Sequence, residues 1–136
     1  MDIFNSKYKR LSGSNYREIK KRTDVLFAES RRRTKRRPYL RSEYFRKEKI
    51  FLEYFEEHLR QKNFFDKVRR LRFLPAAIEL LKYSRNKPEI SENRHRTGEK
   101  LYRFKGKTSD EYIFFVQVKE NKKTGQKFFM SCFPQD

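Results

Sequence analysis

The spacing of apolar residues along the chain changes from a helical to an alternating period near residue 100. Before that point apolar residues recur three and four positions apart, which is typical of amphipathic helices. Beyond it apolar and polar residues alternate, which is typical of strands with one buried face. The sequence therefore predicts an α+β fold in which helices come first and a small C-terminal antiparallel β-sheet packs against them.

Three helical stretches are predicted. The first covers residues 15–30. The second starts at Pro38, a residue that suits the first turn of a helix, and continues to Leu59. The third begins at Asn63, whose side chain can cap it. Pro75 interrupts this last stretch, so we expect a kink or a new helix start there, because proline removes one hydrogen bond and clashes with the preceding turn.

The C-terminal third predicts three strands after a polar loop. We place the loop at residues 84–99 and the strands at residues 101–107, 111–120 and 126–133. Pairing apolar with apolar positions puts one set of side chains against the helices: Tyr112, Phe114, Val116 and Val118 with Phe128, Met130 and Cys132. The opposite, open face then carries Gln117, Lys119, Lys127 and Ser131 among Phe115, Phe129 and Phe133.

The net charge indicates a polyanionic partner. The chain has 36 Lys and Arg residues against 18 Asp and Glu residues, a formal charge of +18. Such an excess disfavours a compact state unless an anion is near, and nucleic-acid phosphate is the commonest anion of this kind. A sheet face that mixes cations and aromatic rings suits RNA, so we expect tRNA, rRNA or mRNA as partner. A surface this positive also suits an acidic inhibitor or immunity protein.

The basic residues are densest in the N-terminal third. We predict a basic N-terminal arm at residues 1–37, part of which can form a helix, and a single α+β domain at residues 38–136. Six cations in the arm are candidate phosphate contacts: Arg31, Arg32, Arg33, Lys35, Arg36 and Arg37. The same run is also compatible with a solvated tail.

Targeting and redox signals point to the cytoplasm. No stretch approaches the roughly 20 apolar residues needed to span a bilayer, and the N-terminus lacks a signal-peptide layout. The single cysteine, Cys132, cannot form an internal disulfide, which fits a reducing compartment. We therefore expect a cytoplasmic protein with no membrane partner.

Three C-terminal motifs carry a resemblance to a known group of enzymes. They are YRFKGK at residues 102–107, FFVQVKE at residues 114–120 and KKTGQKFFMSCFP at residues 122–134. In these motifs the chain resembles the barnase/EndoU/colicin/RelE-like ribonuclease superfamily, especially its phage-associated branch, over about residues 65–134. The resemblance implies a toxin or mobile-element endoribonuclease. Such an enzyme cleaves RNA without a metal by attack of the ribose 2′-hydroxyl, which leaves a 2′,3′-cyclic phosphate.

That reaction needs a proton acceptor, a proton donor and cations for the developing phosphorane charge. His95 is the candidate acid or base, because the unperturbed pKa of histidine lies near neutrality. Lys119 is the candidate for stabilising phosphate charge, and Ser131 for positioning the phosphate. Further RNA contacts are expected from Arg94, Arg96, Arg103, Gln117 and Lys127. The second histidine, His58, is expected on a helix surface.

Other functions stay open. A non-catalytic ribosome-associated or nucleic-acid-binding protein would use the basic arm to contact phosphates. A DNA-binding regulator is less favoured, because no short turn between helices suggests a helix-turn-helix motif. The sequence shows no zinc spacing and no glycine-rich phosphate loop, and Asp110 with Gln117 and Lys119 forms a poor carboxylate site. We therefore expect no metal and no cofactor.

Overall fold

The computed structural model describes residues 2–13, 16–33, 37–92, 95 and 97–135, with the backbone alone at residues 29–33. In these residues the helices are α1 (Tyr16–Arg33), α2 (Glu53–Arg60), α3 (Phe64–Leu71) and α4 (Leu74–Tyr83). The strands are β1 (Ile3–Asn5), β2 (Tyr39–Ser42), β3 (Glu48–Phe51), β4 (Glu89–Glu92), β5 (Glu99–Lys107), β6 (Ile113–Asn121) and β7 (Lys127–Pro134). The protein is therefore α+β. None of the described helices is both long enough and apolar enough to cross a membrane.

All the described strands join one curled sheet in the order β1-β5-β6-β7-β3-β2, with β4 also paired to β5. Strands β5, β6 and β7 form the antiparallel meander that the alternating pattern predicts. The sheet as a whole is mixed rather than antiparallel, since β1 runs parallel to β5 and β3 runs parallel to β7. Strands from the N-terminal half therefore extend the C-terminal sheet at both edges.

The helix predicted from Pro38 to Leu59 is wrong in its first half. A β2–β3 hairpin occupies that stretch, and only α2 is helical. Arg46 and Lys47 adopt positive φ angles of 56° and 65°, which no helix accommodates. Leu40 and Ile50 are cross-strand partners buried in the core. Their spacing fits both a helix face and a hairpin, and tertiary burial decides in favour of the hairpin.

The other helix predictions are confirmed. Helix α1 covers residues 16–30 of the predicted stretch and continues to Arg33. The Asn63 side-chain oxygen accepts a hydrogen bond of 2.9 Å from the Asp66 backbone N–H, which caps α3. Pro75 lies in the first turn of a new helix, α4. The predicted loop at residues 84–99 contains the short strand β4.

The core lies between the helices and one face of the β5–β7 meander. Phe114, Val116 and Val118 of β6 are fully buried there, with Phe129 and Cys132 of β7. Tyr112, which was predicted on this face, precedes β6 and is 46% exposed. The ring of Phe114 also lies directly over Gly106 on β5, where a Cβ atom would come within 2.5 Å of it. The helices therefore pack on one face of the meander, which we call the covered face. The opposite face is the open face.

The N-terminal third is attached to the domain at several points. Ile19 and Phe27 of α1 belong to the shared core. Arg10 donates hydrogen bonds of 3.2 Å to both carboxylate oxygens of Asp110, and its guanidinium lies 3.4 Å from the Tyr112 ring centroid. Burial opposes ionisation of Asp110, yet hydrogen bonds from Thr108 and Arg10 hold the pKa of its carboxyl below the usual range.

Candidate active site

A β-bulge in β7 determines which side chains share the open face. Gln117 pairs with Ser131, but the next residue, Val118, pairs with Phe129. Met130 is therefore an extra residue on β7 without a cross-strand partner. Because side chains alternate along a strand, the extra residue reverses the face of every residue on its N-terminal side.

The bulge corrects the predicted faces. Phe129 is fully buried in the core, and Lys127 lies on the covered face opposite Glu120 rather than beside Lys119. Phe128, which was predicted inside, pairs with Lys119 on the open face. Met130, also predicted inside, is half-buried. The predicted sharing of the open face by Gln117, Lys119 and Ser131 is confirmed.

Cross-strand pairing arranges the open face in three rows across β5, β6 and β7. The rows are Leu101–Lys119–Phe128, Arg103–Gln117–Ser131 and Lys105–Phe115–Phe133. Successive rows are two residues apart, or about 6.6 Å along a strand. We call the row with Lys119 the lysine end of the open face and the row with Phe115 and Phe133 the phenylalanine end. The two ends are about 13 Å apart.

A cleft of about 480 Å³ opens at the lysine end of the open face. Helix α2 contributes one wall, the β4–β5 connection another, and the strands the floor. Its lining residues are Tyr54, Glu57, His58, Gln61, His95, Glu99, Leu101, Gln117, Lys119 and Met130. The cleft thus brings together the two histidines of the chain, two carboxylates and a lysine.

Lys119 is held within this cleft. Its Nζ lies 3.4 Å from Glu99 Oε2 and 4.5 Å from the centroid of the Tyr54 ring. The Lys119 side chain is 12% exposed and that of Glu99 is 15% exposed. A carboxylate and the face of an aromatic ring both favour a cation, so the ammonium group has a fixed position although it is largely desolvated.

His58 enters the cleft from α2. Burial lowers the pKa of its imidazole below 6.5, and the nearby cations Lys62, Arg70 and Lys119 lower it further. The ring is therefore neutral at physiological pH, and a neutral ring can accept a proton.

The sequence carries a signal for His58 in the polar positions of α2. Tyr54, Glu57, His58 and Gln61 follow helical spacing and form one polar face of α2, opposite the buried Phe55 and Leu59. A polar stripe of this kind suits a solvated surface as well as a site, and only the fold shows that it faces the sheet.

His95 reaches the same cleft from the other side. It lies in the connection between β4 and β5, within the predicted polar loop at residues 84–99. The predicted contacts Arg94 and Arg96 lie outside the described residues, as do Lys35 and Arg36. Of Arg31, Arg32 and Arg33 the structure gives only the backbone, as the last turn of α1.

The remaining predicted residues lie outside the cleft. Ser131 is buried in the middle row of the open face, where its Oγ accepts a hydrogen bond from Arg70 Nη1. Arg103 is exposed in the same row. Arg37 donates a hydrogen bond of 2.7 Å from Nε to Glu53 and packs 4.0 Å from the Phe51 ring centroid. It is therefore already engaged within the fold.

Lys127 belongs to a separate network on the covered face. Its Nζ donates to Glu48 Oε2 at 2.7 Å and to the Gly125 carbonyl at 3.1 Å, and lies 3.8 Å from Glu120 Oε2. Tyr102 donates its hydroxyl hydrogen to Glu120, and burial together with this bond raises the pKa of the phenol above its ordinary value. The predicted RNA contact at Lys127 is wrong in its geometry, because the ammonium is 6% exposed and turned away from the open face.

Within the described residues, no three His, Cys, Asp or Glu side chains come together in a way that could hold a metal ion. Comparisons with known proteins find no matching protein-family model, curated protein or solved structure. The function is therefore argued from the cleft itself.

Proposed function

We propose that this protein is a small metal-independent endoribonuclease, of the toxin or mobile-element type, whose active site is the cleft between α2 and the open face. The observation that carries the proposal is the meeting of His58, His95 and Lys119 in one cavity of about 480 Å³. Two imidazoles and a cation are the groups that cleavage by a ribose 2′-hydroxyl requires.

In the proposed reaction His58 is the general base. Its lowered pKa keeps the imidazole neutral, so it accepts the proton of the 2′-hydroxyl as that oxygen attacks the adjacent phosphorus. The bond from phosphorus to the 5′-oxygen of the next nucleotide breaks, and His95 donates a proton to this leaving oxygen. The products are a 2′,3′-cyclic phosphate and a 5′-hydroxyl.

Lys119 is proposed to stabilise the charge that develops on the phosphorane. Its ammonium is desolvated and fixed, and a preorganised cation of this kind stabilises a transition state more than a solvated one does. Glu99, at 3.4 Å, is a positioning residue that holds the ammonium in the cleft before RNA binds.

RNA is the substrate class that the charge supports. The net charge of +18 favours association with a polyphosphate and steers it at long range. Four cations of α1 are exposed and positioned to contact an RNA backbone: Arg17, Lys20, Lys21 and Arg22. Of these, Lys20 and Arg22 also form surface ion pairs with Asp24 and Glu18. We expect a cytoplasmic setting, because the single cysteine, Cys132, has no second cysteine with which to form an internal disulfide.

The test is incubation of purified, folded protein with total RNA in EDTA, followed by analysis of the fragment ends. The proposal predicts cleavage at discrete sites with 2′,3′-cyclic phosphate and 5′-hydroxyl ends. His58→Gln and His95→Gln should each reduce the rate about 10²- to 10⁴-fold while RNA binding persists. The matched control, Arg85→Gln, changes a surface cation outside the cleft whose side chain is 81% exposed, and should cleave at the wild-type rate.

The alternative is a non-catalytic RNA-binding protein. In that case RNA would stay intact over a broad pH range, and only salt-sensitive binding would be seen. Cleavage that persists undiminished in both histidine variants would also overturn the proposal.

A further inference from the structure

The phenylalanine end of the open face carries a cluster of rings and cations that the proposed chemistry does not use. We call it the Phe115–Phe133 cluster, and it consists of Phe115, Phe133, Arg70, Arg103 and Lys105. The two rings are cross-strand neighbours with centroids 5.7 Å apart. The Arg103 guanidinium lies 5.7 Å and 5.5 Å from the two centroids, and that of Arg70 lies 5.5 Å from Phe133.

This cluster is accessible and positively charged. Both rings are only half-buried, and Arg103 is exposed. No carboxylate of the described chain lies within ion-pairing distance of Arg103 or Lys105. Arg70 is 16% exposed and already engaged within the fold, because its Nε lies 3.4 Å from Asp66 Oδ2 and its Nη1 donates a hydrogen bond to Ser131 Oγ. Glu89 is the cross-strand partner of Arg103 without an ion pair to it, and at the lysine end Glu57 and Glu99 line the cleft.

A continuous surface joins the cluster to the cleft. A second hollow of about 120 Å³ is lined by Glu89, Ser91, Leu101, Arg103 and Gln117. Leu101 and Gln117 also line the cleft, so the two cavities adjoin. From Lys119 to Phe115 the path runs along four residues of β6, or about 13 Å.

Half-exposed aromatic rings flanked by guanidinium groups are suited to nucleotides. A base stacks on the ring with little dependence on its identity, while arginine pairs with phosphate through two parallel hydrogen bonds. A base inside a duplex has both faces covered by its neighbours and cannot stack on protein. At the rise of about 3.4 Å per stacked nucleotide, 13 Å corresponds to no more than about four nucleotides.

We propose that the Phe115–Phe133 cluster is a subsite for an unpaired nucleotide within about four positions of the cleaved bond, so that the substrate is single-stranded RNA. A base stacks on Phe133 and Phe115, and Arg103 holds the flanking phosphate. Arg70 positions the Phe133 ring, whose centroid lies 5.5 Å from its guanidinium. This inference rests on the proposed function for the location of the cleaved bond. The binding of a single-stranded oligonucleotide to the cluster does not depend on catalysis.

The first experiment compares the cleavage kinetics of Phe133→Leu with those of the wild type on a single-stranded oligonucleotide. The loss of one stacked base should raise KM about 5- to 150-fold with kcat nearly unchanged. The oligonucleotide is then shortened from its 5′ end and, separately, from its 3′ end. Shortening from one of the two ends should remove the nucleotide that stacks on Phe133, so that wild type and variant have the same KM. Tyr83→Leu, which removes an aromatic ring 62% exposed outside the open face, is the matched control and should behave as wild type. An unchanged KM in Phe133→Leu, or a duplex cleaved as well as the single strand, would overturn the subsite.

A second measurement separates the subsite from catalysis. Fluorescence anisotropy with an all-deoxy single strand, which lacks the attacking hydroxyl, reports binding alone. Arg103→Met should weaken binding and reduce the slope of log K against log salt by about 0.7, as expected for one lost phosphate contact. An unchanged slope would contradict the role of Arg103. If the slope falls while no RNA is ever cleaved, the proposed enzymatic function fails and the binding site stands.

Discussion

Lys119 and Lys127 lie on neighbouring strands and contact similar side chains, but Lys119 borders a cleft and Lys127 is enclosed. Each ammonium contacts a carboxylate and the face of an aromatic ring: Glu99 and Tyr54 around Lys119, Glu48 and Phe45 around Lys127. Lys119 lines a cleft of about 480 Å³. Lys127 is enclosed, with acceptors from Glu48, Glu120 and the Gly125 carbonyl around its Nζ.

The difference separates a lysine suited to a ligand from one that stabilises the fold. An ammonium group has three hydrogens to donate. Lys127 donates two of these to Glu48 Oε2 and the Gly125 carbonyl, and Glu120 forms an ion pair with it at 3.8 Å. The 6% exposed ammonium is therefore occupied within the fold. Lys119 has a single carboxylate at ion-pairing distance among the described side chains and borders open space. We therefore expect substitutions at the two lysines to affect different properties.

The largest expected effect is a reduced rate of RNA cleavage in the Lys119→Met variant. The loss of a preorganised charge at the phosphorane should reduce the cleavage rate about 10²- to 10³-fold. Thermal stability should fall modestly, because methionine loses the cation–π contact with Tyr54 and the 3.4 Å ion pair with Glu99 beside the open cleft. Rate measurements on one labelled RNA check the loss of cleavage, and a melting curve checks the thermal stability. If Lys119→Met cleaves RNA at the wild-type rate, or does not fold, then the proposed difference in role between Lys119 and Lys127 is contradicted.

The next largest expected effect is a loss of stability in the Lys127→Met variant. The variant loses hydrogen bonds to Glu48 and Gly125 and leaves Glu120 with one partner fewer, so the free energy of unfolding should fall by about 2 kcal/mol. We discount the contribution of Glu48 because its side chain is 55% exposed and can turn to water. Chemical denaturation measures the loss. The cleavage rate per folded molecule should equal that of the wild type, and a rate deficit would place Lys127 in the active site.

A smaller effect is expected from Tyr102→Phe in the same network. Loss of the hydroxyl donor to Glu120 should lower the free energy of unfolding by about 1 kcal/mol at neutral pH. Burial and the hydrogen bond to Glu120 raise the pKa of Tyr102 above its ordinary value of 10.0, so the folded protein keeps the proton that the unfolded chain loses above pH 10. This contribution is present below pH 10 and diminishes as the pH rises beyond it. Denaturation of wild type and variant at pH 8 and pH 11 should show the gap between them narrowing, and a constant gap would contradict this role of the hydroxyl.

The subtlest effect is on the pH dependence of cleavage. His58 must be neutral to act as a base, and its pKa lies below 6.5 because of burial and then of Lys62, Arg70 and Lys119. The acid limb of the kcat/KM profile should therefore lie below pH 6.5. Lys62→Met removes one of these cations without entering the cleft lining and should shift that limb to higher pH. Lys127→Met should not shift it, and a profile insensitive to Lys62 would exclude His58 as the titrating base.

Much of the fold was predictable because local signals agreed with the final packing. The alternating segments became β5, β6 and β7, Asn63 caps its helix, and Pro75 starts a new one. The β2–β3 hairpin was not predictable, since Leu40 and Ile50 fit a helical spacing equally well. The partners of β1 and β3 also lie far along the chain, where local patterns carry no information.

The candidate site was predictable in part for the same reason. Lys119, Gln117 and His95 could be placed by alternation and by loop position, and they line one cleft. Lys127 could not, because a single extra residue at Met130 reverses the face of the preceding residues on β7. His58 could not, because its role depends on which face of α2 turns toward the sheet.

The most direct test of the central claim changes one atom of the substrate. Once a cleavage site is mapped in a labelled single-stranded RNA, the ribose on its 5′ side is replaced by deoxyribose, and cleavage and binding are measured in EDTA. Attack by the 2′-hydroxyl in the cleft predicts that cleavage at that bond is abolished while binding is nearly unchanged. Continued cleavage of the deoxy-substituted bond, or no cleavage of any RNA by the folded protein, would contradict the account.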